Sequence, residues 1–87
     1  MKFELGRVVI TSHARHVLDD EDVRKALARH ASGDWGDVSK GDWKENEFSL
    51  TEDLRLFSVY HAEDDTKFWI ITEADRSYTT VMLPSDY

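Results

Sequence analysis

Hydrophobic residues form four strand-like segments along the chain. The first is predicted over Phe3–Thr11, with Val8, Val9 and Ile10 at its centre. The other three lie in the second half and are joined by short polar links, which favours an antiparallel meander. These three predicted strands are Leu54–Ala62, Lys67–Glu73 and Tyr78–Leu83.

Between the first strand and the meander, the apolar spacing changes to that of helices. Asp19 and Asp20 are suitable N-caps for a helix that runs to about Ala31, and Gly33 is placed to end it. The segment Ser12–Leu18 is expected to add a short helical turn before it. One face of the main helix is predicted to hold Val23, Ala26, Leu27, His30 and Ala31.

A second helix is predicted to open at Val38-Ser39. Ser39 with Asp42 three residues later has the spacing of a capping box. Trp43, Glu47 and Leu50 are expected to share one side of this helix, with Phe48 nearby. The order β-α-α-β-β-β predicts a single α+β domain over residues 1–87, with the helices packed on one face of the sheet.

The strand Lys67–Glu73 carries large apolar residues on both of its sides. Phe68 and Ile70 point to one face, whereas Trp69 and Ile71 point to the other. This strand is therefore predicted to be central. The face away from the helices is expected to be covered by loops or by a second subunit, which makes a homodimer one of the alternatives.

Charge and composition narrow the class of protein. The net charge is −7, and residues 31–87 carry −8 while residues 1–30 carry +1. The chain has no cysteine, no apolar N-terminal run and no membrane-spanning stretch, so we expect a cytoplasmic protein without a membrane partner. Acidic surfaces often serve solubility alone. They also bind partners with basic surfaces, and a protein partner of that kind is our expectation.

The connection between the last two predicted strands is the strongest candidate site. It is more polar than a hairpin turn requires. Arg76 has the chemistry to bind a phosphate or carboxylate, and a desolvated Glu73 would be a general base. The structural alternative is an Asx turn at Asp75, with Arg76 and Glu73 paired across it. The candidate binding residues here are Thr72, Glu73, Asp75, Arg76, Ser77 and Thr79.

Two further hypotheses involve residues outside this connection. A small ribonuclease or toxin of the RelE/barnase-like kind would use Glu73, Arg76, Arg55 and His61, although the acidity of residues 31–87 argues against RNA as a substrate. Trp35 would be an exposed aromatic anchor for a partner, or else part of the core. His13-x-x-His16 lacks a defined third ligand, so neither a metal site nor a cofactor is predicted.

Several strings give the chain a family resemblance. They are Gly33-Asp34-Trp35-Gly36, Arg55-x-x-Ser58-x-Tyr60, Trp69-Ile-Ile-Thr-Glu-Ala-Asp-Arg-Ser77-x-Thr79-Thr80 and Leu83-Pro84-x-x-Tyr87. With these it resembles a family of short uncharacterised bacterial proteins of the "plasmid-related" kind. The resemblance implies a mobile-element setting and no particular activity. Our leading expectation is therefore a small binding or regulatory protein, such as an inhibitor encoded by a mobile element.

Overall fold

The computed structural model describes residues 1–87 and contains three α-helices and four strands. A 3₁₀ turn over Pro84–Asp86 follows the last strand. In chain order the elements are β1 (Arg7–Ile10), α1 (Ser12–Val17), α2 (Asp20–Ala31), α3 (Lys40–Glu52), β2 (Leu56–His61), β3 (Lys67–Thr72) and β4 (Tyr78–Met82).

The strands form one mixed sheet in the order β1-β4-β3-β2. β2, β3 and β4 form the predicted antiparallel meander, and β3 is central. β1 joins the sheet parallel to β4, with Arg7 opposite Tyr78 and Ile10 opposite Val81. The α+β class and the predicted order are confirmed, with the short helical turn at Ser12–Leu18 present as the separate helix α1.

Each helix begins at a side chain that accepts a backbone hydrogen bond. Thr11 caps α1, Asp19 caps α2 by accepting from the Glu21 amide at 2.8 Å, and Ser39 caps α3 by accepting from the Asp42 amide at 3.1 Å. Such caps satisfy amides that have no partner within the helix, and each contributes about 1 kcal/mol. The predicted starts of the two main helices are therefore explained by local chemistry.

The hydrophobic core lies between one face of the sheet and the helices α1 and α2. Ile70 and Val81 at its centre are fully buried. Burial of one such side chain contributes about 1.5–3 kcal/mol, so this layer is the main source of stability. The core cluster consists of Ala14, Leu18, Val23, Ala26, Tyr60, Ala62, Phe68, Ile70, Val81 and Leu83.

Helix α3 packs differently, because its buried residues are the polar Asn46 and Ser49. The Asn46 amide donates to the Phe57 carbonyl at 2.7 Å and accepts from the Phe57 amide at 3.0 Å, as a neighbouring strand would. Trp43 of the same helix is 37% exposed and adds little to the core.

The backbone around Gly36 pairs with the outer edge of β2 at Val59, in addition to the pairing of Asn46 with Phe57. The Val59 amide donates to the Trp35 carbonyl at 3.2 Å, and the Asp37 amide donates to the Val59 carbonyl at 2.7 Å. Gly36 has φ +73°, and a Cβ there would lie 2.0 Å from the Val59 oxygen. Glycine is thus required both by the backbone conformation and by the close approach. A closed edge also prevents unwanted strand pairing.

None of the helices has the length and apolar character that crossing a bilayer requires.

Candidate functional site

The connection between β3 and β4 is a tight turn built around Asp75. The Asp75 carboxylate accepts from the Ser77 amide at 3.0 Å, and the Arg76 amide donates to the Glu73 carbonyl at 2.9 Å. Hydrogen bonds from Ser77 lower the pKa of Asp75, which keeps it ionised. The Asx turn that the sequence offered as the structural alternative is therefore present, whereas the Arg76–Glu73 side-chain pair is not, because the Glu73 carboxylate pairs with Arg55.

The Arg76 side chain forms hydrogen bonds with this turn and with the end of α3. Its guanidinium donates to the carbonyl oxygens of Leu54 at 2.6 Å, Ser49 at 3.1 Å and Ala74 at 3.1 Å, with a longer bond of 3.2 Å to Glu73. Carbonyls at a helix C-terminus lack partners within the helix, and arginine commonly satisfies them. The cation therefore joins the hairpin to α3 and is not presented to an anionic ligand.

Thr72 and Thr79 lie inside the protein, where they belong to a buried hydrogen-bonded chain with His30. His30 Nε2 lies 2.9 Å from the Thr72 hydroxyl, which is 2.7 Å from the Thr79 hydroxyl. Thr79 donates to the Leu5 carbonyl at 2.7 Å, and at the other end His30 Nδ1 lies 2.6 Å from the Ser58 hydroxyl. The two threonines are fully buried and do not reach a partner.

The donor and the acceptor of each hydrogen bond in this buried series follow from its last acceptor, the Leu5 carbonyl. A carbonyl oxygen only accepts, so Thr79 donates to Leu5 and must accept from Thr72. Thr72 then accepts from His30 Nε2–H. Burial and the nearby Arg76 guanidinium lower the pKa of His30 to about 3, so the imidazole is neutral and its Nδ1 accepts from the Ser58 hydroxyl. Its role is to satisfy the polar groups of the core.

Trp35 is fully buried, which corrects the hypothesis of an exposed aromatic anchor. Its indole Nε1 donates to the Glu47 carboxylate at 2.7 Å. Its ring stacks on Phe3 at 6.1 Å between centroids and meets His30 edge-on at 5.6 Å. Trp35 is therefore a core side chain that connects α2, α3 and the N-terminal segment.

The four residues of the ribonuclease hypothesis are not brought together. Arg55 lies 3.7 Å from the Glu73 carboxylate and donates to the Tyr87 hydroxyl at 3.1 Å. His61 lies instead 2.7 Å from the Asp37 carboxylate. It is at the opposite end of the β2–β3 pair, about 20 Å from Glu73 at roughly 3.3 Å per strand residue. Of the other three, only Arg55 contacts the Glu73 carboxylate, because Arg76 donates to the backbone carbonyl of Glu73 and His61 is distant.

The largest concave surface is elsewhere, between the start of α2 and the link that joins β2 to β3. This acidic cleft has a volume of about 550 Å³. Four carboxylates surround it, and an apolar floor lies below them. The cleft is lined by Val17, Leu18, Asp19, Asp22, Ala62, Glu63 and Asp64.

Three carboxylates of the acidic cleft, those of Asp19, Asp22 and Asp64, accept from backbone amides, and none is held by a cation. Asp22 accepts from the Glu63 amide at 3.3 Å, which joins the two walls, and Asp64 accepts from the Thr66 amide at 3.0 Å. Hydrogen bonds from Thr66 lower the pKa of Asp64, so it stays ionised. None of the four carboxylates takes part in an ion pair. Their negative charge is therefore not neutralised by an ion pair within the protein.

The walls of the acidic cleft come from two acidic runs, Asp19–Asp22 and Glu63–Asp65, whose separation in the sequence gives no sign that they meet. Their proximity depends on how α2 crosses the sheet and on the position of the β2–β3 link. No cluster of three or more histidine or acidic side chains is arranged to hold a metal ion.

Comparison with models of protein families, with curated proteins and with solved structures finds no match for this chain. The family resemblance described above therefore rests on the sequence strings alone.

Proposed function

We propose that this protein is a non-enzymatic binding protein that acts by contact with a basic protein partner at the acidic cleft. The observation that carries the proposal is the set of four carboxylates, unpaired within the protein, above an apolar floor. The mobile-element setting that the resemblance implies fits a regulator or inhibitor of this kind.

The chemistry of the cleft suits a lysine or arginine side chain. Such side chains have a long apolar stem and a charged end. The stem would lie on Val17, Leu18 and Ala62, and the cation would lie among the carboxylates of the rim. Val17 is 41% exposed, so part of the floor is open to solvent and accessible to a partner.

A catalytic alternative is supported less well by the geometry. Arg76 is held by carbonyl groups, and His61 lies far from Glu73. The remaining Arg55–Glu73 pair supplies no separate acid and base. Binding without turnover is thus the function that the arrangement of side chains favours.

The test is affinity capture of the tagged protein from the lysate of its source cells at low and high salt. The cleft variant is Asp19→Asn/Glu63→Gln/Asp64→Asn, which leaves Asp22 and its bond to Glu63 in place. The control is Glu4→Gln/Glu45→Gln/Glu52→Gln, which changes the net charge equally at exposed positions outside the cleft.

We expect a defined partner that the wild type and the control capture but the cleft variant does not. High salt should also release it, because a Debye length of about 3 Å at 1 M screens exposed charge pairs. Equal loss in both variants would show that overall acidity, and not the cleft, attracts the partner. Capture of RNA with no protein would contradict the proposal.

A further inference from the structure

One face of the sheet is covered by α1 and α2, but the opposite face, which we call the open face, holds a groove of about 330 Å³. Ile71 forms part of the groove, and Phe57, Trp69 and Tyr87 stand around it. Tyr87 is 71% exposed, and its ring meets that of Trp69 at 5.8 Å between centroids. Large aromatic side chains are thus partly open to solvent on this face.

The open face contains an unsatisfied polar atom. Trp69 Nε1 is buried and has no hydrogen-bond partner, and it is the only such side-chain nitrogen or oxygen in the protein. Buried hydrogen-bond donors normally have a partner, because a buried donor without one lowers the stability of the fold. The Nε1 atom is closed off from solvent, so this cost belongs to the packing of the chain itself.

The arrangement of charged residues on the open face indicates which kind of molecule would bind there. By strand alternation, β3 places Lys67, Trp69 and Ile71 on this face, and Glu73 continues the series just beyond the strand. Along β3 the two ends are therefore of opposite sign with apolar residues between them, while β2 reverses this order, with Arg55 beside Glu73 and the Asp37–His61 pair beside Lys67. The groove itself has the same mixed character, since Arg55 and Asp42 both line it.

A surface with both signs is a poor match for a polyanion or for a purely basic ligand. It is complementary to itself when one copy is reversed. A two-fold axis across the strands at the level of Ile70 places Lys67 of one copy opposite Glu73 of the other. We propose that the open face is the interface of a homodimer formed by two copies of this chain, face to face and with β3 antiparallel. This interface is separate from the acidic cleft and does not depend on its function.

In this dimer the groove of each copy, with the exposed Tyr87 ring beside it, is covered by the partner copy. On β2, residue 55 of one copy comes opposite residue 61 of the other, because the register aligns Ser58 with Ile70. Arg55 therefore faces the Asp37 carboxylate that is paired with His61. The charged contacts at both ends of the interface are thus attractive.

The experiment measures mass by sedimentation equilibrium from micromolar to millimolar protein. The wild type should approach twice the chain mass of 10.1 kDa. Lys67→Glu and Glu73→Lys should each weaken the dimer roughly tenfold or more, because each turns two attractions into two repulsions. Lys25→Glu makes the same charge change as the first variant on α2 and should have no such effect.

Mixing the two variants tests the pairing directly. Lys67→Glu and Glu73→Lys together should form a heterodimer with wild-type affinity, since both charge contacts are attractive again. Lys67 is exposed and makes no ion pair, so the first variant alone remains informative if the second does not fold. A single-chain mass at every concentration would overturn the proposal. So would a dimer that Lys67→Glu weakens no more than Lys25→Glu does.

Discussion

Replacement of Arg76 separates the stability that its side chain supplies from the strain of its backbone. Arg76 has φ +60°, in the left-handed region that glycine adopts freely and other residues adopt at a cost of about 1 kcal/mol. The same residue holds the turn to α3 through its guanidinium. Arg76→Ala should therefore destabilise the protein more than Arg76→Gly, which is the reverse of the usual order within secondary structure.

The magnitude follows from the four acceptors of the guanidinium. Three of the acceptors share Nη1, which has only two hydrogens, so the four contacts count as about three full hydrogen bonds. At a half-exposed site each full bond contributes roughly 1 kcal/mol net. Arg76→Ala should thus lower the free energy of unfolding by about 3 kcal/mol, and Arg76→Gly by about 2 kcal/mol. Arg76→Lys should resemble alanine, because an ammonium group lacks the planar fork that reaches several carbonyls.

The assay is urea unfolding followed by tryptophan fluorescence, with thermal melts as a second probe. A loss of 3 kcal/mol corresponds to a fall in Tm of roughly 12–24 °C for a domain of this size. Equal stability of the glycine and alanine variants would show that the left-handed backbone is not strained. Wild-type stability in all three variants would refute the assignment of Arg76 as a structural residue.

Three other expectations concern buried or closely packed groups. His30 has a pKa of about 3 in the folded protein against 6.5 in the unfolded chain, so the free energy of unfolding should fall as the pH decreases from about 6.5 towards 3. The loss should reach at most roughly 1.4 kcal/mol per pH unit. In unfolding experiments at several pH values, His30→Gln should remove this contribution. Gly36→Ala should cost at least about 2 kcal/mol, whereas Gly41→Ala in the open helix position should stabilise by about 0.5–1 kcal/mol, as measured by urea unfolding. Asn46→Ala should cost about 2 kcal/mol and increase aggregation in light scattering, because the Phe57 backbone at the β2 edge loses its partner.

Sequence patterns predicted the helices of the first half and the meander well, because helix caps and short polar links act locally. The strand β1 was predicted too long at its start, since Gly6 has φ +66° and breaks the extended conformation before Arg7. The inner side of α3 could not be predicted. An asparagine that pairs with the backbone of a strand leaves no hydrophobic periodicity, so Asn46 is indistinguishable in the sequence from a solvated residue.

The candidate site was predictable only where its chemistry is local. The Asx turn at Asp75 involves residues two positions apart, and it was among the predictions. The acceptors that join Arg76 to α3, the Leu54 and Ser49 carbonyls, are more than 20 residues away, and every residue has such a group. The acidic cleft was missed for a similar reason, since its two walls are 41 residues apart at Asp22 and Glu63.

The buried chain from Ser58 through His30 to Leu5 has a spectroscopic consequence. Its imidazole N–H and hydroxyl protons are shielded from water and engaged in hydrogen bonds, so they should exchange with solvent slowly enough to give resolved NMR signals. Such protons exchange only when the surrounding structure opens. The Nε2–H signal of His30 should therefore report the opening rate of the core without any added label, and the Thr79 hydroxyl should report the detachment of the N-terminal segment at Leu5.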